Sequence, residues 1–277
     1  MFFKTLFLTF FISLSTWAVD LSSSPLTTDL KMNGFSCETK FQDSCRYQEC
    51  RGKIPSYSKE IMLLIPQQVL KLRWHFHGHK LNKFPDYDRN LSSMIDAFGL
   101  RNSICQGQEM VVFPESKGNC EDFDQQLKTK SDFDQFLQHL NIAMNGQIST
   151  IPLHVSAHSG GGRTVGRLLA QEVKATEVTL FDGIYSNELK NQISQWFIKG
   201  QGELKLYSIK GLSPQNYVNS MVKELNLELS KDEIELKEKK FRKLSGERIL
   251  ILHRDYVGDA LKAHYDIVTE TWQIPKK

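Results

Sequence analysis

The segment 154-HVSAHSGGGRTVG-166 combines residue types that could do chemistry. Ser159 stands between His158 and three consecutive glycines, directly after a short apolar run typical of a β-strand. Such a segment could bind a phosphate, or it could form a tight turn that presents a serine nucleophile. A phosphate-binding loop requires four residues between its first glycine and Gly-Lys-Ser/Thr, and a dinucleotide-binding loop requires a glycine where Val165 stands. The spacing therefore favours the nucleophile.

A serine nucleophile between a strand and a helix needs small residues on both sides of it. Ala157 stands two residues before Ser159, and Gly161 stands two residues after it. The turn is so tight that larger side chains would collide there, and the helix that follows directs its N-terminus at the developing negative charge. The motif is weak alone and becomes specific in this strand–turn–helix context. A structural serine turn is the alternative.

At this turn, residues 57–275 resemble the α/β-hydrolase superfamily. The segment 74-WHFHGHK-80 strengthens the resemblance, because it ends a predicted strand in a His-Gly pair similar to the family's oxyanion loop. The resemblance implies a nucleophile, an acid and a histidine in that order along the chain. It also implies that the backbone N–H groups of Gly160 and His79 stabilise the oxyanion.

The acid of such a triad is expected at Asp182. In most family members it follows the seventh strand, here 204-LKLYSIKG-211, which contains no carboxylate. Asp182 ends the preceding strand in 178-VTLFDGIYS-186, the position that a minority of the family uses. A buried aspartate there would fix the tautomer of the histidine and stabilise its protonated form. The alternative for Asp182 is a turn former before Gly183.

Two histidines are candidates for the base. His253 ends the last predicted strand and is expected to make a structural hydrogen bond. His264, in 260-ALKAHYDIV-268, lies where a loop could return over the serine, and the start of its helix is similar to that of secreted family members. His264 is therefore the favoured base. Asp255 and Asp259, between the two histidines, are reserve candidates for the acid.

Strand-like and helix-like segments alternate from residue 60 onward, which predicts an α/β fold. The expected architecture is a mostly parallel sheet with helices on both faces and no obvious cap domain, and with ligands bound beyond the carboxyl ends of the strands. Ser131 and Asn187 are the expected N-terminal caps of their helices, and the charged run 231–244 is expected to be a solvated helix face. The predicted strands span 60–65, 69–76, 110–113, 153–157, 178–181, 204–209 and 249–252, and the predicted helices span 88–100, 131–145, 163–173, 187–199 and 263–272, with another beginning at 213–214.

Residues 1–18 combine a basic residue, an apolar run and small residues before a cleavage site, which indicates a secretory signal peptide. The protein is therefore expected to be secreted or periplasmic, with no stable membrane anchor after cleavage. Residues 19–56 are expected to form a cysteine-containing arm, and residues 57–277 the hydrolase domain. Because export favours disulfides, Cys105–Cys120 is expected to close one loop and another pair to staple the arm. One of the five cysteines is then left over.

Two other functions compete with a serine hydrolase. His75, His77 and His79 alternate along a strand and so share one face, which could begin a zinc site. The row resembles the motif of metallo-β-lactamase-like hydrolases, but a histidine and a lysine stand where that motif needs aspartate and histidine. A non-catalytic binding protein of hydrolase fold is the second alternative, although such proteins usually lose a catalytic residue. The net charge of only +3, without a basic stripe, argues against nucleic-acid binding.

The favoured hypothesis is hydrolysis of an ester, or an amide, through an acyl-enzyme on Ser159, with no cofactor. A site without a cap suits a small or polymer-attached acyl substrate, such as one in a cell wall, better than a long lipid. Esters are preferred because they need less activation than amides. Arg163 and Lys80 could pair with a substrate carboxylate, and the alternative for both is ordinary surface charge.

Overall fold

The structure is a computed structural model that describes residues 19–20, 34–42, 45–78, 91–101, 104, 108–117, 120–144, 146–200, 202–236, 239–256 and 258–272. Its strands are β1 Val19–Asp20, β2 Phe35–Gln42, β3 Cys45–Ile54, β4 Tyr57–Pro66, β5 Gln68–Val69, β6 Lys71–Phe76, β7 Glu109–Pro114, β8 Leu153–His158, β9 Glu177–Phe181, β10 Glu203–Ile209, β11 Ser230–Leu236, β12 Lys239–Ser245 and β13 Ile249–Arg254. Its helices are α1 Leu91–Ala97, α2 Glu121–Gln126, α3 Lys130–Ala143, α4 Gly162–Ala170, α5 Asn187–Lys199, α6 Ser213–Glu224 and α7 Ala260–Thr271, and Ser159–Gly161 form a short 3₁₀ turn.

An 11-stranded sheet organises the chain, with the order β2-β3-β4-β7-β6-β8-β9-β10-β13-β12-β11. The strands from β7 to β13 in this order run parallel, and antiparallel strands flank them on both sides. Strands β2 and β3 come from the segment expected to be an arm and extend the same sheet. Between β9 and β10 the described residues form α5 and short connections. The predicted α/β architecture with helices on both faces is confirmed, and its sheet is mixed, with a parallel centre and antiparallel strands on both sides.

Side chains alternate across the sheet and build a hydrophobic core on each of its faces. On β6, Leu72, Trp74 and Phe76 belong to the core that lies under helices α2 to α6. The residues between them point to the other face, where α1 and α7 supply apolar side chains such as Ile95 and Ile267. Strands buried on both faces appear in the sequence as continuous apolar runs, which is why the central strands are recognisable there.

A buried ionic cluster lies toward the amino ends of the parallel strands, at the edge opposite Ser159. The Arg73 guanidinium lies 2.7 Å from Glu109 Oε2 and 2.7 Å from Glu177 Oε1, and Lys205 Nζ lies 2.6 Å from Glu177 Oε2. His154 Nδ1 lies 3.1 Å from Glu109 Oε1. Burial alone would raise the pKa of both glutamates, but the charge of Arg73 together with the charges and hydrogen bonds of His154 and Lys205 holds both pKa values well below their usual range.

The charged run 231–244 is a β-hairpin, so the predicted helix face is wrong. Strands β11 and β12 pair antiparallel, with Ile234 opposite Phe241. Phe241 and Leu244 are spaced by three residues, which imitates the period of a helix. In the structure they lie on opposite faces of the sheet and join different cores. The prediction rests on the mixed charges of the run, which indicate exposed side chains and fit an edge hairpin as well as a helix face.

Both predicted helix caps lie slightly too late in the chain. Helix α3 is capped by Thr129, whose Oγ1 accepts from Asp132 N at 3.2 Å while the Asp132 carboxylate accepts from Thr129 N at 2.7 Å. Helix α5 is capped by Ser186, whose hydroxyl accepts from Leu189 N at 3.2 Å. In each case an earlier hydroxyl satisfies the free N–H groups of the first turn, so Ser131 and Asn187 lie inside their helices.

One of the two expected disulfides is present in the structure, and the other, Cys105–Cys120, is not. Cys37 and Cys50 form a disulfide that joins β2 to β3, which confirms the expected staple in the N-terminal segment, and Cys45 is disulfide-bonded as well. Cys120 is a buried free thiol, so the predicted Cys105–Cys120 disulfide is wrong. The Cys120 thiol donates instead to the carbonyl oxygen of His77 at 3.4 Å, and burial raises its pKa to about 12. Cys105 lies outside the described residues.

Candidate active site

Ser159 occupies a sharp turn between strand β8 and helix α4. The strand ends at His158, Ser159–Gly161 form a 3₁₀ turn, and the helix begins at Gly162. Ser159 has a φ angle of 51°, in the left-handed region that non-glycine residues rarely adopt. Such backbone strain persists only where the surrounding structure enforces it, and it is concentrated at functional sites. The predicted strand–turn–helix context of Ser159 is confirmed.

Close backbone contacts explain the glycines around this turn. A Cβ atom at Gly161 would lie 2.4 Å from the carbonyl oxygen of Phe76, and one at Gly162 would lie 2.2 Å from that of Gly183. A Cβ atom at Gly78 would lie 2.6 Å from the Cβ of Ser159. No side chain fits at these distances, so the loop that contains Gly78 can approach the serine turn because Gly78 and Gly161 have none.

The acid and the base of the predicted triad are in direct contact. Asp182 Oδ2 lies 2.6 Å from His264 Nδ1, and both side chains are buried. Asp182 Oδ1 accepts from Ile209 N at 3.2 Å, so the carboxylate is held at both oxygens. A carboxylate at this distance keeps a proton on Nδ1 and leaves Nε2 as the acceptor that a general base requires.

Asp182 reaches this position through an unusual backbone conformation. It directly follows β9, and its φ angle is 46°. Its N–H donates to the carbonyl oxygen of Tyr207 on the neighbouring strand at 2.6 Å, which continues the sheet contact one residue beyond the strand. The chain bends at Asp182 itself, so this residue changes the chain direction after β9 and also contacts His264.

A cavity of about 580 Å³ opens next to Ser159. Its wall includes Ser159 and Gly160 at the turn and Tyr185 after the Asp182 turn. The Tyr185 ring is 44% exposed, and its centroid lies 6.5 Å from that of His264. The serine turn therefore lines the cavity directly, and Tyr185 connects the cavity wall with His264. Its remaining lining residues are Arg163, Arg167, Gly183, Ser186, Glu188, Leu189 and Gln192.

Tyr185 is a site residue that the sequence analysis does not identify. Burial, reinforced by the negative charge of Asp182, raises the pKa of its phenol, and hydrogen bonding with the Ser159 hydroxyl opposes that rise. The phenol is therefore neutral at physiological pH and available as a hydrogen-bond donor beside Ser159. Its signal in the sequence is only its distance of three residues from Asp182, which no general motif marks.

The alternative residues for the triad have other partners. His253 Nδ1 lies 2.7 Å from Ser208 Oγ, in the kind of structural hydrogen bond expected of it, and burial lowers its pKa to about 4. Asp255 pairs with Lys210 at 2.9 Å. Asp259 caps helix α7 by accepting from Leu261 N at 2.8 Å. Among the candidate pairs of the sequence analysis, the structure shows the contact of Asp182 with His264.

Of the histidine row, His75 packs against Phe98 and Phe113, in the core on the side of the sheet covered by α1 and α7. His75 Nδ1 lies 2.9 Å from Ser156 Oγ. His77 Nδ1 donates to the carbonyl oxygen of Gly78 at 2.7 Å, and its Nε2 accepts from Ser116 N at 2.9 Å. Both nitrogens of His77 are thus used within the protein, and no group of three metal-ligating side chains occurs among the described residues. His79 lies outside them, as does Lys80.

Arg163 lines the cavity but already has an acidic neighbour. It forms an ion pair with Asp124, which also pairs with Arg167 at 2.9 Å. The side chain of Arg163 is 58% exposed, so solvent screens this contact. A substrate carboxylate would therefore have to compete with Asp124 for Arg163.

Comparisons with known proteins concern the fold. No protein-family model and no curated protein matches the chain. A structure from Thermus thermophilus shares 10% identity over 79% of this chain and 94% of its own, with a TM-score of 0.47. Glucuronoyl esterase from Solibacter usitatus shares 9% identity over 89% and 92%, with a TM-score of 0.45. Acetyl xylan esterase from Aspergillus awamori shares 12% identity over 81% and 93%, with a TM-score of 0.43.

The architecture itself defines the class of protein. The strand order, the serine turn after β8, the aspartate after β9 and the histidine after β13 follow the plan of an α/β-hydrolase. The predicted resemblance of the chain to that superfamily is therefore confirmed for its fold.

Proposed function

We propose that this protein is a serine hydrolase that cleaves an ester bond, or less readily an amide bond, through an acyl-enzyme on Ser159. The observation that carries the proposal is the 2.6 Å contact between buried Asp182 and His264, beside a serine whose φ angle is 51°. A serine on a tight turn, a histidine with a fixed tautomer and a buried carboxylate are parts of an activated nucleophile, which also needs the serine hydroxyl within hydrogen-bond reach of the histidine.

The proposed reaction begins with proton transfer. His264 Nε2 accepts the hydroxyl proton of Ser159 as the serine oxygen attacks the substrate carbonyl carbon. Asp182 holds the imidazole in place and stabilises the positive charge that forms on it. The negative charge on the former carbonyl oxygen faces the N-terminus of α4 and the N–H of Gly160. The N–H of His79 is proposed as the second donor on the basis of the sequence.

Collapse of this intermediate completes the first half of the reaction. His264 returns its proton to the leaving alcohol, and the acyl group remains on Ser159. Water then attacks the acyl-enzyme with His264 again acting as base, which releases the acid and restores the serine. No step needs a cofactor, because the chain supplies every proton acceptor and donor.

The cavity supports a small or polymer-attached acyl substrate. Tyr185, Glu188 and Gln192 offer hydrogen-bonding groups along its wall, and Leu189 is its one large aliphatic side chain among the described residues. A long acyl chain would need a more extended apolar channel. Arg163 remains a proposed contact for a substrate carboxylate, in competition with Asp124. Lys80 is proposed for the same role from the sequence alone.

An exported location is proposed with this activity. The Cys37–Cys50 disulfide is compatible with an oxidising compartment. The segment predicted to be a signal peptide lies outside the described residues, and within the described part no helix is long and apolar enough to cross a membrane. Detection of the processed protein outside the cytoplasm would support export, and an unprocessed cytoplasmic protein would contradict it.

Ester turnover tests the proposed activity. Hydrolysis of a panel of activated acetyl, butyryl and longer acyl esters is measured for wild type, Ser159→Ala and the control Ser149→Ala, whose hydroxyl is exposed and remote from the cavity. We expect Ser159→Ala to lose at least ~10³-fold in kcat and Ser149→Ala to lose nothing, with no effect of a chelator. Turnover that survives in Ser159→Ala, or that a chelator abolishes, would contradict the proposal.

A further inference from the structure

His158 is a buried histidine for which the proposed reaction has no direct use. Its ring is fully shielded from solvent. Ring centroids place it 4.5 Å from His264, 5.4 Å from Phe98 and 5.5 Å from Tyr265. It directly precedes Ser159 along the chain. The ring therefore lies between the nucleophile's turn and the helix that carries the proposed base.

One hydrogen bond ties this ring to helix α7. His158 Nε2 lies 2.8 Å from the main-chain carbonyl oxygen of His264. Because a carbonyl oxygen can only accept, Nε2 must carry the proton and donate it. The bond therefore fixes the tautomer of His158 and holds the backbone of His264 from the side of the serine turn.

The second ring nitrogen shows that His158 acts as a neutral group. Nδ1 is buried and has no hydrogen-bond partner among the described residues. A Cβ atom built on Gly78 would lie 3.1 Å from it, so this side of the ring faces the His-Gly loop. Burial, reinforced by His264, holds the pKa of His158 well below its usual range. A proton on Nδ1 would place an unpaired charge beside the base.

We propose that His158 is a positioning residue, whose hydrogen bond to the backbone of His264 sets the distance of that imidazole from Ser159. The inference rests on the proposed serine-hydrolase function. His158 is the residue before Ser159, its side chain donates a hydrogen bond to the backbone of His264, and its ring faces Gly78. Displacement of the imidazole by about 1 Å would cost roughly 10²-fold in rate.

Two amide variants separate the hydrogen bond from simple packing. The amide nitrogen of glutamine in His158→Gln lies near the position of Nε2, whereas that of asparagine in His158→Asn lies near Nδ1. His158 does not line the cavity, so neither variant changes the groups that contact substrate. The pair therefore serves as test and matched control, because both replace the ring by an amide and only one can reach the His264 carbonyl.

The variants are compared in kcat and KM on one activated ester and in the rate at which a fluorophosphonate labels Ser159. We expect His158→Gln to keep kcat within about threefold and His158→Asn to lose roughly 10²-fold, with both KM values nearly unchanged. Folding is checked by thermal unfolding. A folded His158→Gln that loses as much as His158→Asn, or variants that change KM alone, would overturn the role of His158.

Labelling of Ser159 in wild type and in the His158 variants distinguishes failure of the proposed hydrolase function from failure of the proposed role of His158. A folded wild type that is not labelled at Ser159 overturns the proposed function and this role with it. A labelled wild type whose His158 variants react at the wild-type rate overturns only the role of His158. If His158→Asn does not fold, His158→Gln decides alone, since loss of its activity in a folded protein contradicts the proposed hydrogen bond.

Discussion

Replacement of Asp182 by asparagine should put the proton of His264 on the wrong nitrogen. Asp182 Oδ1 accepts from Ile209 N at 3.2 Å, and Oδ2 faces His264 Nδ1 at 2.6 Å. In Asp182→Asn the amide oxygen must stay on the Ile209 N–H, because an amide nitrogen there would face another donor. The amide nitrogen then donates to Nδ1, so the imidazole carries its proton on Nε2 and cannot accept one from Ser159.

The size of the effect follows from this loss of the base. Asparagine in this role costs a serine-hydrolase triad about 10⁴-fold in kcat, which corresponds to about 5 kcal/mol of transition-state stabilisation. The free energy of unfolding should change little, because the amide has the same shape as the carboxylate and keeps one hydrogen bond with Ile209 N and one with His264 Nδ1. We therefore expect a folded protein with nearly normal KM and a strongly reduced kcat, measured by ester turnover and thermal unfolding.

A matched control uses another aspartate close to the same strand ends. Asp255→Asn changes an aspartate that is 47% exposed and pairs with Lys210 at the surface, and it should retain kcat within about twofold. If Asp182→Asn keeps more than a tenth of the wild-type kcat, the proposed tautomer argument is wrong.

Two further predictions concern the buried ionic cluster and the cavity. The folded-state pKa values of Glu109 and Glu177 lie below the unfolded value of about 4.3, so their stabilisation is complete above that pH and is lost as pH falls below it. The thermal midpoint should drop between about pH 4.5 and 2.5, with a shallower slope in Glu177→Gln, and an acid-insensitive midpoint would contradict the network. Tyr185→Phe should lower kcat/KM about fivefold, because one hydrogen bond of about 1 kcal/mol to Ser159 is lost, and unchanged kinetics would exclude a role for the phenol.

The sequence was most informative where the signal is local. Ser159 stands between an apolar strand and glycines that leave no room for side chains, so the turn can be predicted from a few residues. Asp182 could be predicted as a strand-end carboxylate, and its contact with His264 agrees with that prediction. The choice between His253 and His264 was possible because His253 continues a buried apolar strand, which predicts a structural role. His264 instead follows the connection after that strand, and it contacts Asp182.

Features that depend on distant contacts could not be predicted. Tyr185 and the hydrogen bond of His158 need the positions of α7 and the β9 turn, which no short pattern contains. The hairpin of β11 and β12 could not be distinguished from a helix face, because mixed charges indicate exposure to solvent but fit a helix and an edge hairpin equally. The disulfide predicted for Cys120 is wrong because sequence spacing gives no information on the direction in which a thiol points.

Active-site labelling tests the central claim most directly. The folded protein with its disulfides intact is treated with a fluorophosphonate, and the modified peptide is identified by mass spectrometry in wild type and Ser159→Ala. The proposed function predicts a single modification on the peptide that contains Ser159, absent from the variant and unaffected by a chelator. A folded wild type that remains unmodified, or that is modified at another residue, would contradict it.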